Sequence, residues 1–451
     1  MTEPVTVGID IGTTATKAVA ADAEGIIVAR ARVPHALKAS HPGELAHDAA
    51  DAWWHGPRAA LDEIVGQLDP SRVAAVNVAA MVPSLCAVDE DGIPISDGLL
   101  YGDDRGAGGD GEANPSESGE LVRFLASLVA SHPDAAGYWP AQAVANHALS
   151  GIGALDTTTA MTTLPLFDFV GWDEAVAKGA GLDDTSKLPR IVSGADAIGP
   201  VSSLPDAILA AGTIDALGEQ MVAGADHVGD VLVILGATLI VWAVVPEWRE
   251  LEGVWTVPHT APGLSLIGGP SNAGGLFMNW VTRLIGRSES DEPRPARSAR
   301  VPVFQPYLRG ERVPFHDRGR RASLHDLDIG CDRPEIRRAA YEASGFAIRH
   351  MLDLADLHPT RIVATGGGTH DPAWIDAIAD ATTLPVDVVA VPEGAALGTA
   401  YLARVTAGLE APGANASRWA RTGRRVEPDA DWADDVAARY QLYRSLADRT
   451  G

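Results

Sequence analysis

Two short turns in the chain carry residue types that bind phosphate. In the first, Asp10 ends an apolar run and is followed by Gly12-Thr13-Thr14 and then by Lys17. Backbone N–H groups, hydroxyls and an ammonium group in one tight turn can bind a polyphosphate. A carboxylate at a strand end can hold Mg²⁺, directly or through water. The same residues also suit a hairpin in which Asp10 and the threonines only satisfy the turn, so this turn alone leaves both interpretations open.

The second turn has the same form, and a third glycine-rich segment follows it. The second turn is Gly236-Ala237-Thr238, and the third segment is Gly366-Gly367-Gly368 between a strand pattern and a helix pattern. A run of glycines there lets a ligand lie against bare backbone. The glycine spacing of the dinucleotide fingerprint is not met, and no lysine follows a glycine as it does in the Walker phosphate loop. A nucleotide would therefore be bound by another architecture.

Asp215 is the candidate for proton transfer. It lies in the small-residue segment Ala211–Gly218, directly before a helix pattern. A carboxylate in that position can act as a general base, or it can simply cap the helix. The residues alone leave both roles open.

Strand–turn–strand patterns must position these groups. Val5–Ile11 and Thr16–Ala20 flank the first turn, a third strand follows at Ile26–Ala29, and Asp230–Leu235 and Leu239–Trp242 flank the second turn. Helical spacing continues over Pro334–Leu357, from Pro372 and over Glu393–Val405. The repeated pattern predicts an α/β protein of two related domains, residues 1–225 and 226–451, with mobile loops at 105–119 and 286–300.

Composition restricts the classes of partner. The 451 residues include 35 Lys and Arg against 60 Asp and Glu, a net charge of -25, which disfavours binding to nucleic acid or to an anionic membrane surface. Only Cys86 and Cys331 could form a disulfide, the N-terminus carries no signal pattern, and the apolar run Val231–Val245 is too short to span a bilayer. We therefore expect a cytoplasmic protein without membrane segments.

Several motifs in order resemble the FGGY family of carbohydrate kinases, over a match from about Val5 to Gly408. They are Gly8–Lys17, Pro42–Trp54 with Asp48 and Trp53-Trp54, Leu100–Arg105, Phe304–Pro314, Ala364–Gly368 with Trp374, and Ala396–Ala400. The resemblance implies two ATPase domains of the actin/hexokinase/Hsp70 (ribonuclease H-like) type, with ATP and sugar meeting in a central cleft. It also allows a homodimer.

The resemblance assigns a role to each candidate residue. Asp215 matches the catalytic base, Met81 and Asp103 lie where family members line the sugar pocket, and Asp10 would lie near Mg²⁺. The phosphates and adenosine of ATP would be bound by Gly12, Thr13, Thr14, Lys17, Gly236, Ala237, Thr238, Gly366, Gly367 and Gly368. Arg105 closes the Asp103 motif, either in the pocket or as a salt-bridge partner within its loop.

The chain departs from the xylulose kinases of the family in the sugar pocket. Their Gln-Met-His-Gly segment corresponds to Ala80–Pro83 here, Ala216 stands where Asn often follows the base, and a Glu-Gln-Asp stretch has become Ala46-His47-Asp48. Each change removes a polar group that could discriminate among sugars. We expect an ATP-dependent kinase for a ketopentose or related sugar. The alternatives are a kinase for another polyol or sugar acid (glycerol, erythritol, gluconate or a keto-sugar acid) and a weakly catalytic sensor of the same fold.

Overall fold

The computed structural model describes residues 3–39, 41, 43–106, 119–194, 196–260, 263–286, 298–391, 393–411 and 415–449. It divides the chain into two compact units. Unit 1 contains residues 1–222 and 393–419, and unit 2 contains residues 223–392 and 420–451. Most of the two predicted mobile loops, residues 107–118 and 287–297, and Pro42 of the quoted motif lie outside the described residues.

Unit 1 is built on a seven-stranded mixed sheet. Its strands run in the order β12-β13-β6-β1-β2-β3, and β14 also pairs with β6. A five-stranded sheet (β4-β5-β8-β7-β9) and the pair β10-β11 complete the unit. The strands are β1 Val5–Ile11, β2 Ala15–Ala21, β3 Ile27–Pro34, β4 Leu37–Lys38, β5 Ala46–His47, β6 Val73–Ala80, β7 Ser84–Val88, β8 Gly98–Leu100, β9 Gly137–Trp139, β10 Ala154–Asp156, β11 Arg190–Val192, β12 Ala197–Val201, β13 Leu204–Ala210 and β14 Thr213–Ile214.

In the described part of unit 1, six α-helices precede the boundary between the units. They are α1 Gly56–Val65, which follows a π-helical turn at Ala50–His55, α2 Glu120–Ser131, α3 Ala141–Ser150, α4 Thr157–Met161, α5 Glu174–Gly179 and α6 Asp215–Ala223. The buried core of the unit lies between the sheet and helices α1 and α3. Its members include Ile9, Trp53, Leu61 and Val144.

Unit 2 has a second seven-stranded sheet, in the order β17-β18-β16-β15-β21-β22-β23, and a small pair β19-β20. The strands are β15 Asp230–Leu235, β16 Leu239–Val245, β17 Trp255–Pro258, β18 Ser265–Ser271, β19 Val303–Gln305, β20 Ser323–His325, β21 Arg361–Thr365, β22 Val386–Val389 and β23 Thr422–Val426. The remaining helices are α7 Gly275–Ile285, α8 Arg333–Leu354, α9 Pro372–Thr382, α10 Gly394–Thr406 and α11 Ala433–Arg449. Of these, α10 belongs to unit 1.

The two sheets share one topology, as the repeated sequence pattern predicts. In each unit an antiparallel hairpin (β1-β2 or β15-β16) is continued by a strand that pairs in parallel with its first member (β6 or β21). The apolar run Val231–Val245 forms the second hairpin, with its turn at Gly236. Nearly all of its strand residues are buried in the sheet, which explains why the run is apolar. Among the described residues every helix is too short or too polar to span a bilayer.

The division of the chain differs from the prediction of a single boundary at residue 225 in the place of helix α10. Although α10 lies in the second half of the sequence, it belongs to unit 1. The Oγ1 atom of Thr6 on β1 donates a hydrogen bond of 2.8 Å to the carbonyl of Ala400 on α10. A Cβ atom at Gly8 would lie 1.9 Å from the carbonyl oxygen of Ala396, so the strand and the helix touch through their backbones. Sequence patterns describe local elements and cannot reveal that a distant helix packs on β1.

Candidate active site

The first turn is the connection of the β1-β2 hairpin. Asp10 and Lys17 are directly opposite each other in the antiparallel register, and the Gly12 N–H donates to the carbonyl of Ala15 at 3.1 Å. The hairpin thus places the carboxylate of β1 beside the ammonium group of β2. Gly12 and Thr13 are partly exposed and Thr14 is exposed, so the turn can be reached by a ligand.

Strand register brings Asp215 close to Asp10. The central strand β6 pairs in parallel with β1 on one side and with β14 on the other, and Ala79 is the partner of both Asp10 and Thr213. Parallel strands end at the same edge of a sheet, so Asp10 near the end of β1 and Asp215 just after β14 lie at one edge. Met81, the first residue after β6, lies at that edge as well.

Burial and neighbouring charges shift the pKa of both carboxyl groups. Burial raises the pKa of Asp10 to about 6, although Lys17 opposes the shift. Burial, with the negative charge of Asp10 as the next cause, raises the pKa of Asp215 to about 7. A carboxylate whose pKa lies near neutrality is well suited to accept a proton.

The environment of Asp10 also fits a cation. Its Oδ1 atom is buried and has no hydrogen-bond partner among the described residues. An uncompensated buried carboxylate oxygen is costly, and oxygen ligands of this kind are those that Mg²⁺ prefers. The residues present therefore fit a magnesium ion at Asp10, which would supply positive charge next to the phosphates of a bound nucleotide.

Two buried amides on α3 hold the loop that precedes Asp215. Gln142 donates to the carbonyls of Val78 (3.2 Å) and Thr213 (3.0 Å), which joins β6 to β14. Asn146, one turn further along the helix, donates to the carbonyl of Ala211 at 3.1 Å. Buried polar groups that satisfy backbone carbonyls in this way fix the position of a chain segment. Neither residue was among the site residues expected from the sequence, although two amides four positions apart on a helix of small apolar residues are a recognisable signal.

Asp103 is held by Arg105 of its own loop and by the backbone of Leu45. Its Oδ2 atom accepts hydrogen bonds from the Leu45 N–H (2.8 Å) and from Arg105 Nη2 (2.7 Å), and its Oδ1 atom accepts one from Arg105 Nε (2.7 Å). Burial alone would raise the pKa of Asp103, but these hydrogen bonds lower it overall. Of the two roles considered for Arg105, the structure shows the salt bridge. Contact of Asp103 and Met81 with a sugar stays a prediction.

In unit 2, the second turn rests on the beginning of α7. The N–H groups of Gly275 and Leu276 donate to the carbonyls of Gly236 and Ala237, both at 2.9 Å. Because the carbonyl and the next N–H of a trans peptide point in opposite directions, the N–H groups of Ala237 and Thr238 point away from α7. The turn therefore presents donors on its free side, as a phosphate site requires.

A buried acid from the Phe304–Pro314 motif supports this turn indirectly. Glu311 accepts hydrogen bonds from Ser271 Oγ at the end of β18 and from the Asn272 N–H in the loop that leads to α7, both at 2.8 Å. Burial raises the pKa of Glu311 to about 7 even though these donors oppose the shift. The motif was recognisable in the sequence, but the role of this carboxylate was not.

The triple glycine lies next to the second turn. Strands β15 and β21 are parallel neighbours, and a Cβ atom at Gly366 would lie 2.9 Å from the carbonyl of Leu235, the residue before Gly236. A Cβ atom at Gly367 would meet no other atom within 4 Å, so the backbone is open there. The structure thus brings Gly236–Thr238 and Gly366–Gly368 together at one edge of the sheet.

Family models match both units. The model described as the FGGY family of carbohydrate kinases, N-terminal domain, matches residues 5–110, and the C-terminal domain model matches residues 231–407. The chain belongs to this family. It is thus a carbohydrate kinase, an enzyme that transfers a phosphoryl group from ATP to a sugar, and the predicted two-domain ATPase fold is confirmed.

Relatives of this kinase act on different carbohydrates. It is 23% identical to the xylulose kinase of Staphylococcus epidermidis over 443 residues, covering 89% of this chain and 88% of the relative. It is 24% identical to the erythritol kinase of Brucella abortus over 459 residues, covering 90% and 88% of the two chains. The crystal structure of gluconate kinase from Lactobacillus acidophilus has a TM-score of 0.81 at 19% identity, covering 99% of this chain and 98% of that chain. The family is therefore clear, and the acceptor is left open.

Proposed function

We propose that this kinase phosphorylates a hydroxyl of a ketopentose such as xylulose, or of a related sugar, with Asp215 as the general base. The observation that carries the proposal is the placement of Asp10 and Asp215 on either side of β6 at one sheet edge, with the pKa of Asp215 raised to about 7. A sugar hydroxyl is a weak nucleophile, so a carboxylate that accepts its proton assists the attack.

In the proposed phosphoryl transfer, Asp215 accepts the proton of the sugar hydroxyl. The hydroxyl proton passes to the carboxylate while the sugar oxygen forms a bond to the γ-phosphorus of ATP. The bond between the γ-phosphorus and the β–γ bridging oxygen breaks, and ADP leaves. Lys17 and the N–H groups of Thr13 and Thr14 would stabilise the charge on the phosphoryl oxygens, and Asp10 would hold Mg²⁺.

The acceptor can be another polyol or a sugar acid. Ala80, Val82 and Ala216 stand where the xylulose kinases of the family carry Gln, His and Asn. His47, in the altered Ala46-His47-Asp48 stretch, bonds to the protein itself, as described below. The similarity to an erythritol kinase supports keeping this alternative.

A coupled ADP-release assay over ketoses, alditols and aldonates tests the proposal. We expect one acceptor class to stimulate turnover, and Asp215→Asn to lower kcat by about 10²- to 10⁴-fold while the KM for ATP changes little. Asp173→Asn is the matched control, because Asp173 caps α5 through the Val176 N–H at 2.9 Å and asparagine can also cap. If Asp215→Asn lowered kcat no more than Asp173→Asn does, Asp215 would only start its helix and the proposed base would be wrong.

A further inference from the structure

His47 is a fully buried histidine beneath the first turn. Its Nε2 atom lies 2.8 Å from the carbonyl oxygen of Thr13, and its Nδ1 atom lies 3.0 Å from the indole Nε1 of Trp53. The side chain of Trp53 is also fully buried. The imidazole of His35 packs edge-on against that of His47, with ring centroids 4.5 Å apart.

These two contacts determine the tautomer of His47. The indole N–H of Trp53 can only donate, so Nδ1 of His47 must be the acceptor and carries no proton. The proton of the neutral ring is then on Nε2, where it is donated to the carbonyl of Thr13. Burial lowers the pKa of His47 to about 4, although the Thr13 carbonyl opposes the shift, so the ring is neutral at neutral pH.

The hydrogen bond to Thr13 orients the peptide between Thr13 and Thr14. The carbonyl of Thr13 points into the protein, towards His47. In a trans peptide the following N–H points the opposite way, so the N–H of Thr14 is directed out of the turn. The hydroxyl of Tyr101, 3.2 Å from Thr13 Oγ1, and the His35 N–H, 3.1 Å from the Thr14 carbonyl, hold the turn from its other sides.

We propose that His47 is a positioning residue for nucleotide binding, which holds the Thr13–Thr14 peptide so that the Thr14 N–H faces the phosphates of ATP. The inference rests on the proposed function, because it assumes that the first turn binds phosphate. It assigns to His47 a task beneath the turn, whereas the sequence alone suggested only that a sugar contact is lost at this position. The second turn has the same arrangement, since its carbonyls are bound from behind by the N–H groups of α7.

Three variants separate positioning from mere packing. His47→Gln keeps one donor for Thr13 and one acceptor for Trp53, because a carboxamide carries both. His47→Leu removes both, and Trp53→Phe removes the indole donor while leaving the His47–Thr13 bond. The measurements are the Kd for ATP with Mg²⁺ by calorimetry, the KM values for ATP and sugar, and the melting temperature.

We expect His47→Leu to raise both the Kd and the KM for ATP about tenfold, the effect of one lost hydrogen bond, while the KM for the sugar is unchanged. His47→Gln should restore ATP binding to within about twofold, and Trp53→Phe should lower the melting temperature but keep ATP affinity. If His47→Leu does not fold, His47→Asn, whose carboxamide is too short to reach both partners, replaces it.

Two results would overturn the inference while leaving the proposed function intact. One is a folded, active His47→Leu or His47→Asn that binds ATP as the wild type does. The other is a His47→Gln that folds as stably as the wild type but has lost ATP affinity. A wild type that binds no ATP would instead contradict the proposed function, so the two failures are distinguishable.

Discussion

Asp10 and Asp215 form a coupled pair, and this coupling has consequences for activity. The pKa of Asp215 is raised by its burial and then by the charge of Asp10. A general base must be ionised, so we expect kcat/KM to rise with pH through an apparent pKa of about 7 that belongs to the pair. Asp10→Asn removes the neighbouring charge and should shift this rise to lower pH. An unchanged midpoint in Asp10→Asn, measured across the neutral range, would contradict the coupling.

The same pair makes folding stability depend on pH. Both pKa values are raised in the folded protein above the ordinary value of 3.8, so the folded state binds protons at a higher pH than the unfolded state. The contribution of these two carboxyls to the free energy of unfolding should therefore increase as pH falls from about 7 towards 4, the reverse of the trend for a salt-bridged carboxylate. Asp215→Asn should flatten this increase, as measured by denaturation without ligands at several pH values.

At the scale of elements, α3 supports the loop that precedes Asp215. Gly212 lies against this helix, with φ of 119°, and a Cβ atom there would lie 1.9 Å from Gln142 Nε2. We expect Gly212→Ala to lower the free energy of unfolding by about 2 to 4 kcal/mol, from overpacking and the positive φ together. It should also lower kcat, because Gln142 would lose its hold on Thr213. Chemical denaturation and the ADP-release assay measure the two effects.

Gly151, at the end of α3, provides the control. It also has a positive φ, of 76°, but a Cβ atom there meets nothing within 4 Å. Gly151→Ala should lower the free energy of unfolding by only about 1 kcal/mol, the conformational penalty of a positive φ, and should leave kcat unchanged. Equal losses of stability in the two variants, with normal kcat in both, would show that the contact of Gly212 with Gln142 does not position the loop.

At the scale of the whole molecule, unit 1 is assembled from two separated stretches of chain. Residues 393–419 pack with residues 1–222. We expect a fragment of residues 1–222 to lack a cooperative unfolding transition, because the face of β1 that α10 covers would be open. Adding a peptide of residues 393–419 should restore the transition, which circular dichroism can follow.

A variant peptide makes this experiment specific. A Cβ atom at Gly398 would lie 2.0 Å from the carbonyl oxygen of Gly218 on α6, so a peptide carrying Gly398→Val cannot dock in the same way. It should fail to restore folding at any concentration at which the natural peptide succeeds. A fragment of residues 1–222 that folds cooperatively alone would show that α10 is not needed for unit 1.

Local structure was readable from the sequence because it depends on neighbours along the chain. The Gly236 turn between two buried strands, the helix from Pro372 and the triple glycine after Arg361–Thr365 all follow from patterns of apolar, β-branched and glycine residues. The motifs in their order were sufficient for the family. The substrate could not be predicted from the sequence, because substrate specificity depends on single side chains in a pocket.

Only the tertiary structure decided which distant groups meet. Asp10 and Asp215 lie together because β6 pairs with β1 on one side and β14 on the other, and such pairings do not follow from any local pattern. The same is true of His47, which appeared as a changed sugar contact and is a buried donor to Thr13. Hydrogen bonds between residues far apart in sequence arise from packing of the whole core, so the sequence determined which groups are available and the fold determined their partners.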